Sequence, residues 1–183
     1  MRRCQDAIAK TALMMLMVAY VGSAGASEPS LQQRVANLGK DKYGELVTQG
    51  YRIFTATLKY AYRYSGNALS CQSCHLDGGT RRDAAPIWAA WGQYPAYVAK
   101  RDRVTTFEER VQDCFRFSLN GLAPLLDSHE MRALMAYSQW LSHGVVVGSN
   151  PAGRGFPSIA RTGQDPNPLQ GKNTGFGKNR ALR

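Results

Sequence analysis

This chain is poor in the residues that build metal cages and poor in the patterns that build sheets. Its 183 residues hold four cysteines and three histidines. Apart from Cys71, Cys74 and His75, the candidate donors Cys114, His129 and His143 stand singly, so the second ligand pair of a structural zinc site is missing. Strand-like alternation is absent, and with it the βαβ unit that a thioredoxin-like C-x-x-C dithiol requires. There is no internal repeat. Acidic residues are scarce, 13 Asp and Glu against 23 Lys and Arg, giving a net charge of +10. Such an excess suits nucleic acid, anionic membranes, acidic protein partners or small anions. Only one long apolar run occurs, and it lies at the N-terminus.

That run settles the expected compartment. Arg2, Arg3 and Lys10 lead into TALMMLMVAYVG, followed by Ala24-Gly25-Ala26. The run is shorter than the roughly 20 residues a membrane span needs. It reads as a signal peptide over residues 1–26, cleaved before Ser27, which places the protein in the periplasm and sets nucleic acid aside as a partner. Beyond it, residues 27–47 form a polar lead-in, 48–157 a single domain, and 158–183 a basic, Gly- and Pro-rich tail expected to be disordered. No further membrane span is expected. Cleavage also removes Cys4. Three cysteines cannot all pair within one chain, so the odd one needs a role.

The domain reads as all-α. Apolar residues Ile53, Leu58, Tyr60 and Ala61 recur at a rough helical period between Gln49 and Tyr64, ahead of a Ser-Gly-Asn stop. Thr105 with Glu108, and Thr106 with Glu109, form capping-box patterns. They open a helix whose apolar face carries Phe107, Val111, Phe115 and Leu119, before Asn120-Gly121 ends it. A further helix starts at Asp127 or Ser128 and runs to Gly144, with Met131, Leu134, Met135, Ser138 and Leu141 on one side. The stretch between His75 and Val104 suggests loops with short helical turns.

The C-x-x-C-H of Cys71, Cys74 and His75 is best explained by covalent haem. Each thiol adds across a vinyl group to give a thioether, and the histidine reaches the iron as proximal ligand. The expected fold is therefore a small cytochrome c-like helical domain around one attached haem c. The residues leave the sixth iron ligand open among Cys114, Met131, Met135, His129 and His143. Methionines inside a helical pattern usually fill cores. Cys114 leads, because helical spacing places it between Arg110 and Ser118. A cation and ferric iron both favour the thiolate that ligates metals.

Several blocks then resemble one family in order: GNALSCQSCHLDGGT, AAPIWAAWGQYPAY, RVTTFEERVQDCFRFSLNG, LDSHEMRALMAYSQWLSHG and GRGFP. Together they resemble the N-terminal haem domain of the thiosulfate dehydrogenases, dihaem cytochromes c that join two thiosulfates into tetrathionate. The resemblance implies His75 as proximal ligand and Cys114 as distal ligand. It also implies anion contacts from Arg110 and Ser118. Two departures stand out. Leu122 occupies a position where that family often has a substrate-holding lysine, and no second C-x-x-C-H follows.

Two functions are consistent with this pattern. In the first, a monohaem cytochrome transfers electrons in thiosulfate and tetrathionate metabolism, docking an acidic redox partner such as another cytochrome or a sulfur-oxidising enzyme. In the second, the domain is itself catalytic, with Cys114, Arg110 and Ser118 at the reacting centre. Arg81, Arg82, Lys100, Arg101 and Arg103 are then further candidates to neutralise the thiosulfate or tetrathionate anion. Leu122 and the lone haem motif favour electron transfer. A haem-based sensor lacks any recognisable output domain.

Overall fold

The computed structural model describes residues 28–158, 163 and 167–171. The signal peptide expected over residues 1–26 and nearly all of the expected tail lie outside them. A first compact unit ends at Leu38 and a second begins at Gly39. The described part of the first contains helix α1 (Leu31–Ala36), opened by a reciprocal cap between Ser30 and Gln33.

The second unit is built on two helices. Helix α2 (Lys42–Thr55) begins where Asp41 accepts a hydrogen bond from Gly44 N–H. It therefore starts seven residues before Gln49, the first residue of the apolar periodicity. Helix α6 (His129–Leu141) begins where the Ser128 hydroxyl accepts from Met131 N–H. Met131, Leu134, Met135, Ser138 and Leu141 are all buried along it. The two helices cross at Gly50. A side-chain carbon there would run into the Ala133 carbonyl and lie 2.6 Å from Tyr137 Cβ. Tyr137 is fully buried at this crossing, with its ring 5.4 Å from Phe54 and 5.8 Å from Tyr51.

The expected single helix up to Tyr64 is interrupted. Ala56 leaves helical geometry (φ −145°, ψ 63°), and a short helix α3 (Thr57–Tyr60) and a tight turn at Tyr62–Tyr64 follow. Threonines flank the break. Thr55 donates its hydroxyl to Tyr51 O at 2.8 Å and Thr57 to Ile53 O at 2.8 Å. Such back-bonding competes with the helical ladder and bends it.

After the short helix α4 (Leu76–Gly79) come tight turns at Ile87–Ala89 and Trp91–Gln93, as the composition suggests. An unforeseen antiparallel pair then appears, β1 (Ala96–Val98) with β2 (Arg103–Thr105), Tyr97 facing Val104. Three-residue strands are too short to reveal alternation. What closes this hairpin is Asp102, whose left-handed φ of 52° turns the chain after Arg101. Helix α5 (Phe107–Asp113) opens with the Thr106–Glu109 capping box. It then widens into a π-turn over Cys114–Ser118, in which Leu119 N–H reaches back to Cys114 O at 2.9 Å. Helix α7 (Pro168–Gly171) is a single turn. Among the described residues no helix is long and apolar enough to cross a membrane.

Candidate cofactor site

A cavity of about 320 Å³ lies among these elements. One wall is the Cys71–His75 segment with Ala85, Pro86 and Ile87. The facing wall is Phe107, Arg110, Val111, Cys114, Phe115, Ser118 and Leu119. The whole apolar face expected for α5 thus turns inward onto the cavity. Leu134 and Ser138 of α6 border it as well.

The break at Ala56 positions the first wall. It frees the Thr55 carbonyl, which accepts from Gln72 Nε2 at 2.9 Å, and brings the Thr57 hydroxyl to accept from Cys71 N–H at 3.3 Å. Residues Cys71–Ser73 form a tight turn, and His75 N–H closes onto Cys71 O at 2.9 Å. That winding presents both thiols and the imidazole to one cavity. Burial pushes the Cys71 thiol up to about 12, partly offset by the Thr57 hydroxyl 3.7 Å from its sulfur, so the thiol stays protonated.

His75 is held from behind. Its Nδ1 lies 2.6 Å from the Ala85 carbonyl, which can only accept. Nδ1 therefore carries the proton and Nε2 keeps its lone pair for a metal. Chain reversal just after His75 keeps this tight. Asp77, Gly78 and Gly79 all have positive φ, and Tyr137 donates to Gly78 O at 2.6 Å. A side chain on Gly79 would come within 2.9 Å of Ile87.

The facing wall is bolted to the chain that leads into the first. Gly66 N–H donates to Leu119 O at 2.9 Å, and Asn67 Nδ2 to Ser118 O at 3.0 Å. Cys114 starts the π-turn. Arg110 Nη1 lies 3.6 Å from its sulfur. Burial raises the Cys114 thiol pKa, Arg110 lowers it, and Asp113 and Cys74 raise it further. Ser118 still borders the cavity, although the π-turn gives the Cys114 carbonyl to Leu119 and so alters the spacing expected of an ordinary helix.

Cys71, Cys74, His75, Arg110, Cys114 and Ser118 thus meet at one cavity. The other candidates do not. Met131 and Met135 are buried on α6 outside the lining, and His129 and His143 are exposed. Leu122 is 71% exposed and also outside it. Arg81 pairs with Asp77, Arg101 with Asp113 and Arg103 with Glu109, each away from the lining. Lys100 is exposed, and Arg82 packs against Gly153. The residue that sequence reasoning missed is Arg154, which lines the cavity. Its signal lay in the GRGFP block, where glycines flank a lone cation.

Among the described residues no three His, Cys, Asp or Glu side chains are placed to hold a bare metal ion. The donor set does fit a covalently attached haem: two adjacent thiols, an imidazole with free Nε2, a third thiol on the facing wall and a mainly apolar lining.

Comparison with known proteins points the same way. Residues 59–147 match the model of the SoxA/TsdA cytochrome c domain. A thiosulfate dehydrogenase of Stutzerimonas stutzeri (strain A1501) is 47% identical over 136 residues, 74% of this chain and 44% of that protein. One from Thiomonas intermedia (strain K12) is 44% identical over 154 residues, 84% of this chain and 48% of the relative. The as-isolated thiosulfate dehydrogenase TsdBA from Marichromatium purpuratum superposes with a TM-score of 0.66 at 38% identity, covering 72% of this chain and 29% of the other. The chain spans about half the length of the curated relatives it matches.

Proposed function

From the premise that residues 59–147 belong to the SoxA/TsdA cytochrome c domain family, we propose that the protein is a periplasmic monohaem cytochrome c of inorganic sulfur metabolism. Its role is to carry electrons to or from thiosulfate and tetrathionate chemistry. Cys71 and Cys74 would hold the haem as thioethers, and His75 and Cys114, which line facing walls of the cavity, would supply its iron ligands. When bound, the haem supplies one-electron redox chemistry.

The observation that carries this reading is the convergence of Cys71, Cys74, His75 and Cys114 on one cavity. The Ala85 carbonyl fixes the His75 tautomer, and Arg110 favours the thiolate of Cys114. An iron whose remaining positions were taken by His75 and Cys114 would suit single-electron exchange. Leu122 adds no cation beside it. The strongly basic chain suits an acidic redox partner, another cytochrome or a sulfur-oxidising enzyme.

A second reading, thiosulfate dehydrogenase or tetrathionate reductase catalysis, is favoured by one contact. Arg110 beside the Cys114 sulfur could hold a sulfur oxyanion where that sulfur would meet it. EPR spectroscopy of the haem-loaded protein separates the two. The expected spectrum is a low-spin thiolate signal that Cys114→Ala abolishes and thiosulfate leaves unchanged. A signal perturbed or reduced by thiosulfate puts catalysis ahead. A wild-type spectrum without thiolate character removes Cys114 as ligand.

A further inference from the structure

The lining of the cavity contains two cations, Arg110 and Arg154, and among the described residues no carboxylate. They come from different walls. Arg110 stands beside Cys114. Arg154 is carried by a strap laid along the His75 wall: Asp83 N–H donates to Gly153 O at 2.8 Å, and Ala85 N–H donates to Gly155 O at 2.7 Å. Ala85 is also the residue whose carbonyl receives the His75 Nδ1 proton. One residue therefore links the strap to the proximal histidine.

The strap is shaped to present its arginine. Gly153 and Gly155 have φ of 85° and 90°, which side chains rarely adopt. Flanked by these two turns, the solvent-exposed Arg154 is the strap's one side chain in the cavity lining. Its Nη1 donates to Asn150 Oδ1 at 3.1 Å. That contact is neutral, so the positive charge has no counter-ion in the lining.

A bound haem would bring two carboxylates to this site, and Arg154, itself solvent-exposed, is a cation at the cavity's edge able to meet one. We propose that Arg154 is the carboxylate anchor on the proximal side, pairing with a haem propionate and holding it ionised. Its strap ties that pair to the backbone that orients His75. Arg110 is left to serve the Cys114 sulfur. The assignment rests on the covalent-haem reading above.

The test is potentiometric titration of the haem-loaded full chain across pH, for wild type, Arg154→Ala and Arg154→Lys. Ferric haem carries one more positive charge than ferrous, so a nearby cation favours reduction. The midpoint potential should fall in Arg154→Ala and return toward wild type in Arg154→Lys. Protonating a propionate raises the midpoint as pH falls. In wild type the paired carboxylate should titrate only at low pH, and in Arg154→Ala that break should move to higher pH. Haem present, with midpoint and break both unchanged, overturns the proposal. So does an unchanged break with weakened thiosulfate binding by calorimetry, which would assign Arg154 to the sulfur anion. Failure of the haem reading itself looks different: the wild-type chain would carry no thioether-linked haem at all.

Discussion

Arg110 and Asp113 act in opposite senses on the Cys114 thiol. Burial is the largest influence and raises its pKa, Arg110 draws it down, and Asp113 raises it. Asp113 is itself occupied, since Arg101 of the hairpin pairs with it. A thiolate is lost by protonation as pH falls, so whatever favours the thiolate lowers the pH at which ligation fails. Arg110→Ala should therefore move loss of the thiolate absorption and EPR signature to higher pH, with Arg110→Lys between the two. A pH profile unchanged in Arg110→Ala would show that the 3.6 Å contact has no electrostatic effect on the sulfur. At this scale the juxtaposition was readable from spacing, because Arg110 and Cys114 lie one turn apart on a well-capped helix.

Between elements, the decisive place is the crossing of α2 and α6 at Gly50. In an isolated helix, Gly→Ala gains up to about 1 kcal/mol of propensity. Here the added methyl meets the Ala133 backbone carbonyl, which has no flexible end to move aside. Overpacking of this kind costs about 1–3 kcal/mol, so the clash should win. Gly50→Ala should lower the melting temperature of the haem-loaded protein by several degrees, measured by circular dichroism, with the haem still attached. An equal or higher melting temperature would mean that the helices separate without cost. The same scale contains the break at Ala56, which gives up helical continuity and in return offers Thr55 and Thr57 to the C-x-x-C-H turn.

The whole molecule is set apart by its charge, +10 overall. Steering by such a field is long-ranged at low salt and confined to about 10 Å at 0.1 M ionic strength. Electron exchange with an acidic c-type cytochrome should therefore slow by roughly tenfold or more between low salt and 0.5 M, in stopped-flow experiments on the haem-loaded protein. A salt-independent rate would remove the basic surface from docking.

Local chemistry in the sequence determined a good deal of this protein. The C-x-x-C-H motif needs only five consecutive residues, and the helices around Cys114 and Met131 announce themselves by caps and a 3.6-residue period. The family resemblance was legible for the same reason, as its blocks are contiguous. Tertiary structure alone decided the rest. The π-turn at Cys114 depends on Gly66 and Asn67 bonding to Leu119 and Ser118, partners some fifty residues away. The His75 tautomer depends on a backbone carbonyl, which no side-chain pattern encodes. Leu122 lies exposed outside the lining, while Arg154 lines the cavity because remote backbone hydrogen bonds from Asp83 and Ala85, not spacing, hold its strap there. Residues close in sequence can be placed by helical geometry, but which remote segments meet at a cavity is set by packing, and packing is a property of the whole chain.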